Sequence, residues 1–457
     1  MADGSVHDQY AHPLIAFREF IANALAIFAV AIAAGPGGGW EADGTAPQAR
    51  YSVPVWRGSW PAPEKGWPLV IGNLTRMFCA AAGLALAASG VASAGAAGAG
   101  GTAGAAAQLP VPAGGPPPVT AYVVSGLFRG RVTPIRTATD TALPAIAVGS
   151  FPGAIAITPN GKTAYVIDSG GNHVTPIDTA TNTALPAIRV GKSPSAIAIA
   201  PDGRTVYVTS CPSGTVTAIR TATNTVLKAI KVGACPEAIT ITPDGKTAYV
   251  AYRRGTRVTP IRTATGTALK SIKVGRGPYA IAITPNGKTA YVSDYYSGMV
   301  TPIRTVTNTA LKAIRVGYRP GPIAITPDGK TAYVVGRLHV TPIDTATGTA
   351  GPPIKARQLY GLPSAEDIAI TPDGKTAYVT DSQTGQVTPI STATSTALPA
   401  ITVGPFPSAI AITPDGQTAY VVVGHDVDNL VPIDTATNSL LPPITIRGGP
   451  RAIAITP

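Results

Sequence analysis

Five arginines and five tyrosines crowd the middle of the chain: Tyr252, Arg253, Arg254 and Arg257, then Arg276 and Tyr279, then Tyr295 and Tyr296, then Tyr318 and Arg319. A guanidinium beside an aromatic ring offers a fixed charge for phosphates and a flat face on which a base can stack. If the ligand is single-stranded nucleic acid, each stacked base is worth roughly 1 to 3 kcal/mol. Sugars and anionic cell-envelope polysaccharides suit the same residues. These ten positions are therefore the candidate ligand-binding set, for an anionic polymer or a protein partner. A solvated rim that binds nothing is the competing reading.

Residues for catalysis are sparse. His173, His339 and His425 share no spacing, and "GHDVDN" (His425, Asp426, Asp428, Asn429) is the one metal-like cluster, a pattern that polar loops also adopt without metal. No Ser-His-Asp spacing, zinc signature or phosphate loop is present. The sequence thus predicts no catalytic residues, no metal and no cofactor. Charge points instead to binding: residues 119–457 hold 30 Lys plus Arg against 17 Asp plus Glu, and residues 203–320 alone hold 17 against 3 (Glu237, Asp244, Asp294). Such asymmetry attracts polyanions. Nine of these seventeen cations fall at third-strand ends or on outermost strands, where Lys and Arg also guard sheet edges.

What positions these residues is a repeat. The tyrosine of a "TAYV" strand recurs at Tyr122, Tyr165, Tyr207, Tyr249, Tyr291, Tyr333, Tyr378 and Tyr420, mostly 42 residues apart. A period in the forties containing only short strand patterns is a propeller or solenoid unit. Each unit reads as four strands: "SAIAIT", a "TPDG" turn, "KTAYVT", a variable loop, "VTPIDT", the "ATNT" turn, and "ALPAIRVG". The array opens on a second strand and stops on a first, so 452–456 can pair beside 119–124 and close a ring of eight. An all-β, eight-bladed propeller is predicted, with a monomer expected. Seven third strands carry a proline (Pro134, Pro176, Pro260, Pro302, Pro342, Pro389, Pro432), which predicts a bulge or late pairing there.

Positions kept in all copies serve the blade; positions that vary are free to serve a ligand. The fixed turns fall at one end of the strands. The variable second-to-third-strand loops and the blade-to-blade joints fall at the other, and that face carries the Arg/Tyr set.

"PDGKTAYV", "IDTATNT" and the "VG.GP.AIAITPDG" joint resemble the YVTN-repeat β-propellers, relatives of archaeal surface-layer propellers and YncE-like periplasmic proteins. The resemblance covers residues 119–457, although the signature itself reads "YVVS", "YVID" or "YVTD" here. It implies a secreted or envelope binding scaffold, mostly not an enzyme, with single-stranded DNA among the ligands of some relatives. A structural, surface-layer-like protein and a propeller lactonase or other hydrolase are the alternatives.

Upstream, residues 95–118 form a charge-free Gly/Ala/Pro linker. Residues 77–94, an apolar run ending Ala92-Ser93-Ala94, match a secretory signal, so residues 1–76 are expected not to belong to the mature chain. No stable transmembrane domain is expected in the mature chain, and the localisation implied is secreted or cell envelope. Export makes Cys211 and Cys235 a candidate disulfide.

Overall fold

The computed structural model describes residues 119–355, 365–424 and 428–457. The expectations for residues 1–118, and for His425 and Asp426 as part of a metal-like loop, lie outside the described residues.

The three residues after the opening Thr of the "TAYV" strand, Ala (or Val206), Tyr and Val, are apolar side by side, as a strand covered on both faces requires. These three residues are buried in every blade, and seven of the eight marker tyrosines, all but Tyr207, are the largest fully buried side chains. Alternation divides the strand between its two neighbours. In the first copy, Ala121 and Val123 pack with Tyr420, Val422 and Leu430 of the preceding sheet. Tyr122 and Val124 pack with Ala164, Val166 and Ile177 of the following one. A large tyrosine thus meets the small alanine of the next copy, and eight such clusters join eight antiparallel sheets into a β-propeller. We number the blades 1 to 8 by their "TAYV" strands, from Thr120–Ser125 to Thr418–Val423.

Ring closure joins the two ends of the array. Ala452–Ile455 is the innermost strand of blade 1 and pairs antiparallel with Thr120–Ser125, Ala121 opposite Ile455 and Val124 opposite Ala452. Thr456 donates its backbone N–H to Thr120 O and accepts Thr120 N–H on its Oγ1, both at 2.9 Å. The turns repeat the same closure: a Cβ on each "PDG" glycine would lie against the proline of the preceding turn, and on Gly161 it would stand 3.7 Å from Pro457.

A second set of contacts explains the "ATNT" turn. Its third residue adopts a left-handed backbone (Asp140, Asn182, Asn224, Gly266, Asn308, Gly348, Ser395 and Asn438, φ between 50° and 67°). Asn, Asp and Gly tolerate that conformation best. Its side-chain oxygen also takes the hydroxyl of the preceding blade's tyrosine: Tyr122 to Asn182 at 2.7 Å, Tyr165 to Asn224 and Tyr249 to Asn308 at 2.6 Å, Tyr378 to Asn438 at 2.7 Å, and Tyr420 to Asp140 across the closure. Burial pushes the phenols of Tyr122, Tyr165, Tyr249 and Tyr378 up to about 12, so they remain donors at physiological pH.

The prolines act on the outermost strand. In every blade three outer-strand residues lie opposite two of the third strand, as in blade 4, where Ala268 pairs Ile261 and Ile272 pairs Val258. The bulge expected at the prolines is therefore present, and blade 3 has it too, with Ala218 in place of proline. In the other seven blades the third-strand proline accepts from the outer strand on its carbonyl, as Pro260 does from the Leu269 N–H at 2.8 Å. Its missing N–H faces the same way. The outer strand accordingly breaks there into residue pairs such as Thr267–Ala268 and Ile272–Lys273. In blade 3 it runs unbroken from Thr225 to Lys231.

Candidate functional site

The variable loops and joints interlock on one face. Gly126 donates to Gly448, Phe151 to Leu127, Val232 to Gly214 and Tyr296 to Arg276, each a loop-to-joint backbone contact. In each described joint a residue directly before proline is left-handed: Phe151, Ser193, Cys235, Gly277, Arg319, Phe406 and Gly449, with φ from 45° to 69°. On the turn face that conformation falls on Asn, Asp, Ser and Gly. Here it falls also on Phe, Cys and Arg, where it costs on the order of 1 to 3 kcal/mol each. Strain is thus concentrated on the face whose residues differ from blade to blade.

Across blades 4 to 6 these loops assemble a chain of alternating rings and guanidiniums. Arg253 Cζ lies 5.0 Å from the Tyr279 ring centre and 5.3 Å from that of Tyr295. Arg319 Cζ lies 5.5 Å from the Tyr295 ring and 5.0 Å from Tyr318, over which Arg337 sits at 5.8 Å. Tyr279 and Tyr295 stack at 5.8 Å, and Tyr296 meets Tyr295 edge-on at 5.0 Å. Each cation–π contact contributes on the order of 0.5 to 1 kcal/mol at a surface. Together they hold long side chains that would otherwise roam in solvent.

Among the described residues, Arg253, Arg254, Arg257, Arg276 and Arg319 form no ion pair, and the exposed Lys–Asp pairs Lys246–Asp244, Lys330–Asp328 and Lys375–Asp373 belong to the turns of the other face. Of the nearby acids, Asp294 is fully buried, and Asp244 is such a turn residue. Glu237, the third acid of this sector, lines a cleft together with Arg253, so the five arginines, unpaired among the described residues, leave a net positive charge on this face.

Six of the ten candidate residues, Arg253, Tyr279, Tyr295, Tyr296, Tyr318 and Arg319, come together in this assembly. Arg254 and Arg276 stand exposed beside it. Arg257 opens the third strand of blade 4 opposite Lys273, apart from the rings. Tyr252 corrects the sequence reading: it is 7% exposed, and its hydroxyl donates to Val232 O at 2.6 Å and contacts Thr259 Oγ1 at 2.7 Å, so it belongs to the scaffold. Arg337, which sequence reasoning passed over, extends the chain of rings. Its signal was its place in the blade 6 loop "VGRLH", equivalent to that of Arg253.

Beside this assembly a cleft of about 590 Å³ opens among blades 2 to 5, lined by Ser169, Ser193, Cys211, Glu237, Arg253 and Tyr279 among others. Cys211 and Cys235 are disulfide-bonded at its edge. Cys211, Cys235 and Glu237 are close enough to hold a metal ion together, but the bonded sulfurs offer no thiolate. Two buried carboxyls stand under the same face. Asp168 and Asp294 each accept a threonine hydroxyl, from Thr175 and Thr301 at 2.5 Å, while the other carboxyl oxygen has no partner. Burial pushes both up to about 6.

No family model and no curated protein sequence matches the chain. Among solved structures, it is similar to hydrazine synthase of Kuenenia stuttgartiensis (25% identity over 62% of this chain and 96% of that one, TM-score 0.51). It is similar also to the dihydro-heme d1 dehydrogenase NirN (16%, 76% and 78%, 0.63) and to apo AztD from Citrobacter koseri (14%, 74% and 97%, 0.57). The likeness is one of fold. Proteins with such different names are similar to this fold, so the chemistry of this chain has to be read from its own variable face.

Proposed function

We propose that this chain is a non-enzymatic binding scaffold of the YVTN-repeat type, secreted or held in the cell envelope, that engages an anionic polymer through the variable face of blades 4 to 6. The observation that carries this reading is the row Tyr279–Arg253–Tyr295–Arg319–Tyr318, whose arginines are fixed by rings and paired with no carboxylate among the described residues. Fixed guanidiniums lose little freedom on meeting a phosphate, sulfate or uronate, and ring edges and faces between them admit bases or sugars. A disulfide at the site's border suits an oxidising compartment.

Binding to heparin and to single-stranded DNA across a salt series tests the proposal. Contacts from Arg253, Arg254, Arg276 and Arg319 would give a log–log salt slope of about −3 for single strands, and Arg253→Ala with Arg319→Ala would reduce it by about half. Binding of neither polymer, or a slope unchanged in the double variant, would remove the site from this face.

A further inference from the structure

Seven blades end in a broken outer strand, and short or proline-interrupted edges are how sheet proteins avoid pairing with stray strands. Blade 3 lacks that protection. Its third strand, Thr215–Arg220, carries Ala218 where the others carry proline, and its outer strand Thr225–Lys231 is continuous, with six of seven residues exposed. Val226 and Leu227 are each 46% exposed, and no strand lies outside this one in the sheet. An antiparallel edge strand turns every second N–H and C=O outward. Blade 3 therefore presents a backbone template that the rest of the ring withholds.

We propose that this edge is a strand-addition site for an extended acidic segment of a partner protein. Main-chain hydrogen bonds would supply affinity and side-chain charge would supply selectivity. The edge carries Lys228 and Lys231 and no carboxylate, and the adjacent outer strand of blade 4 adds Lys270 and Lys273 nearby. A second copy of this chain fits poorly: antiparallel self-pairing centred on Lys228 sets that lysine against itself, and like charges directly opposite one another destabilise a strand pair. A segment alternating carboxylates with β-branched residues meets the ladder and sets its carboxylates on one face, that of Lys228 and Ile230, while Lys231, three residues on, adds its charge from the other face. The site lies on the rim of the disc and is independent of the arginine-tyrosine face.

The test uses the full chain and a fluorescein-labelled nine-residue peptide alternating Glu with Val. Anisotropy should report binding, and hydrogen exchange should show the amides of 226–231 slowing on addition of peptide. Ala218→Pro copies the residue of the other seven blades, so it should fold with an unchanged melting curve while binding weakens at least about tenfold through the lost ladder. Lys228→Glu with Lys231→Glu keeps the strand and should weaken binding similarly. Pro260→Ala should knit Thr267–Lys273 into a second continuous edge and raise the stoichiometry. Unchanged affinity in both Ala218→Pro and the double lysine variant overturns the proposal, as does protection confined to residues 253–319. A concentration-dependent dimer abolished by Ala218→Pro would overturn it in favour of self-association.

Discussion

Asp168 and Asp294 show how one residue position can be scaffold in some blades and a liability in others. Both stand three residues after a marker tyrosine, where other blades carry Ser125, Ser210, Tyr252, Gly336, Asp381 and Val423. Burial lifts each carboxyl from 3.8 to about 6, against the hydrogen bonds from Thr175 and Thr301 and, for Asp168, the charge of His173. The folded state then keeps a proton that the unfolded chain releases. Their contribution is fully favourable below about 4 and is lost as pH rises to about 6. By linkage the loss is at most roughly 3 kcal/mol per site. Denaturant midpoints measured from pH 4 to pH 7 should fall for the wild type and flatten for Asp168→Asn with Asp294→Asn, since the amide is neutral throughout. An equal slope in both would place the titration elsewhere. The same position explains the misreading of Tyr252. Its neighbours in sequence are arginines, but its strand parity is that of these buried aspartates, and comparing copies at that position would have set it inside.

At the scale of elements, the strands, both turns and the eight-fold count were legible because each copy repeats them in order. The hydroxyl contact of the marker tyrosine was not, because its partner lies 54 to 62 residues ahead, in the next blade's turn. Two turns put glycine at that place, Gly266 and Gly348, and so offer no side-chain oxygen to Tyr207 and Tyr291. Gly266 has φ of 56°, and a Cβ there would meet Lys228 and Ile230 at ordinary contact distances of 3.4 and 3.5 Å. Gly266→Asn should accordingly stabilise the fold by about 1 kcal/mol, while Asn224→Ala, which loses the Tyr165 contact and strains the turn, should cost about 1 to 3 kcal/mol. Chemical denaturation reads both, and opposite signs would break the link between this turn and the tyrosine. The row of rings on the far face was visible only as composition. Which ring meets which guanidinium depends on loop-to-joint contacts that no local pattern encodes, and Arg337 was missed for that reason.

For the whole molecule, closure makes stability a property of the ring. Removing Ala452–Pro457 would strip the inner strand from blade 1, expose the Ala121, Val123 and Tyr122 strand along one edge and leave Gly161 without Pro457. A chain ending at Arg451 should lose cooperativity, unfolding in more than one step by calorimetry and aggregating through the bare edge, whereas a molecule held by its seven other sheets alone would melt as before. The ring also has a consequence for biosynthesis. Thr120 leaves the ribosome well before the hydrogen-bonding partner of its amide, which follows 336 residues later. Through that interval the leading strand must be shielded by a chaperone, by slow collapse or by a provisional mate, so errors of assembly should concentrate at the seam where beginning and end are meant to meet.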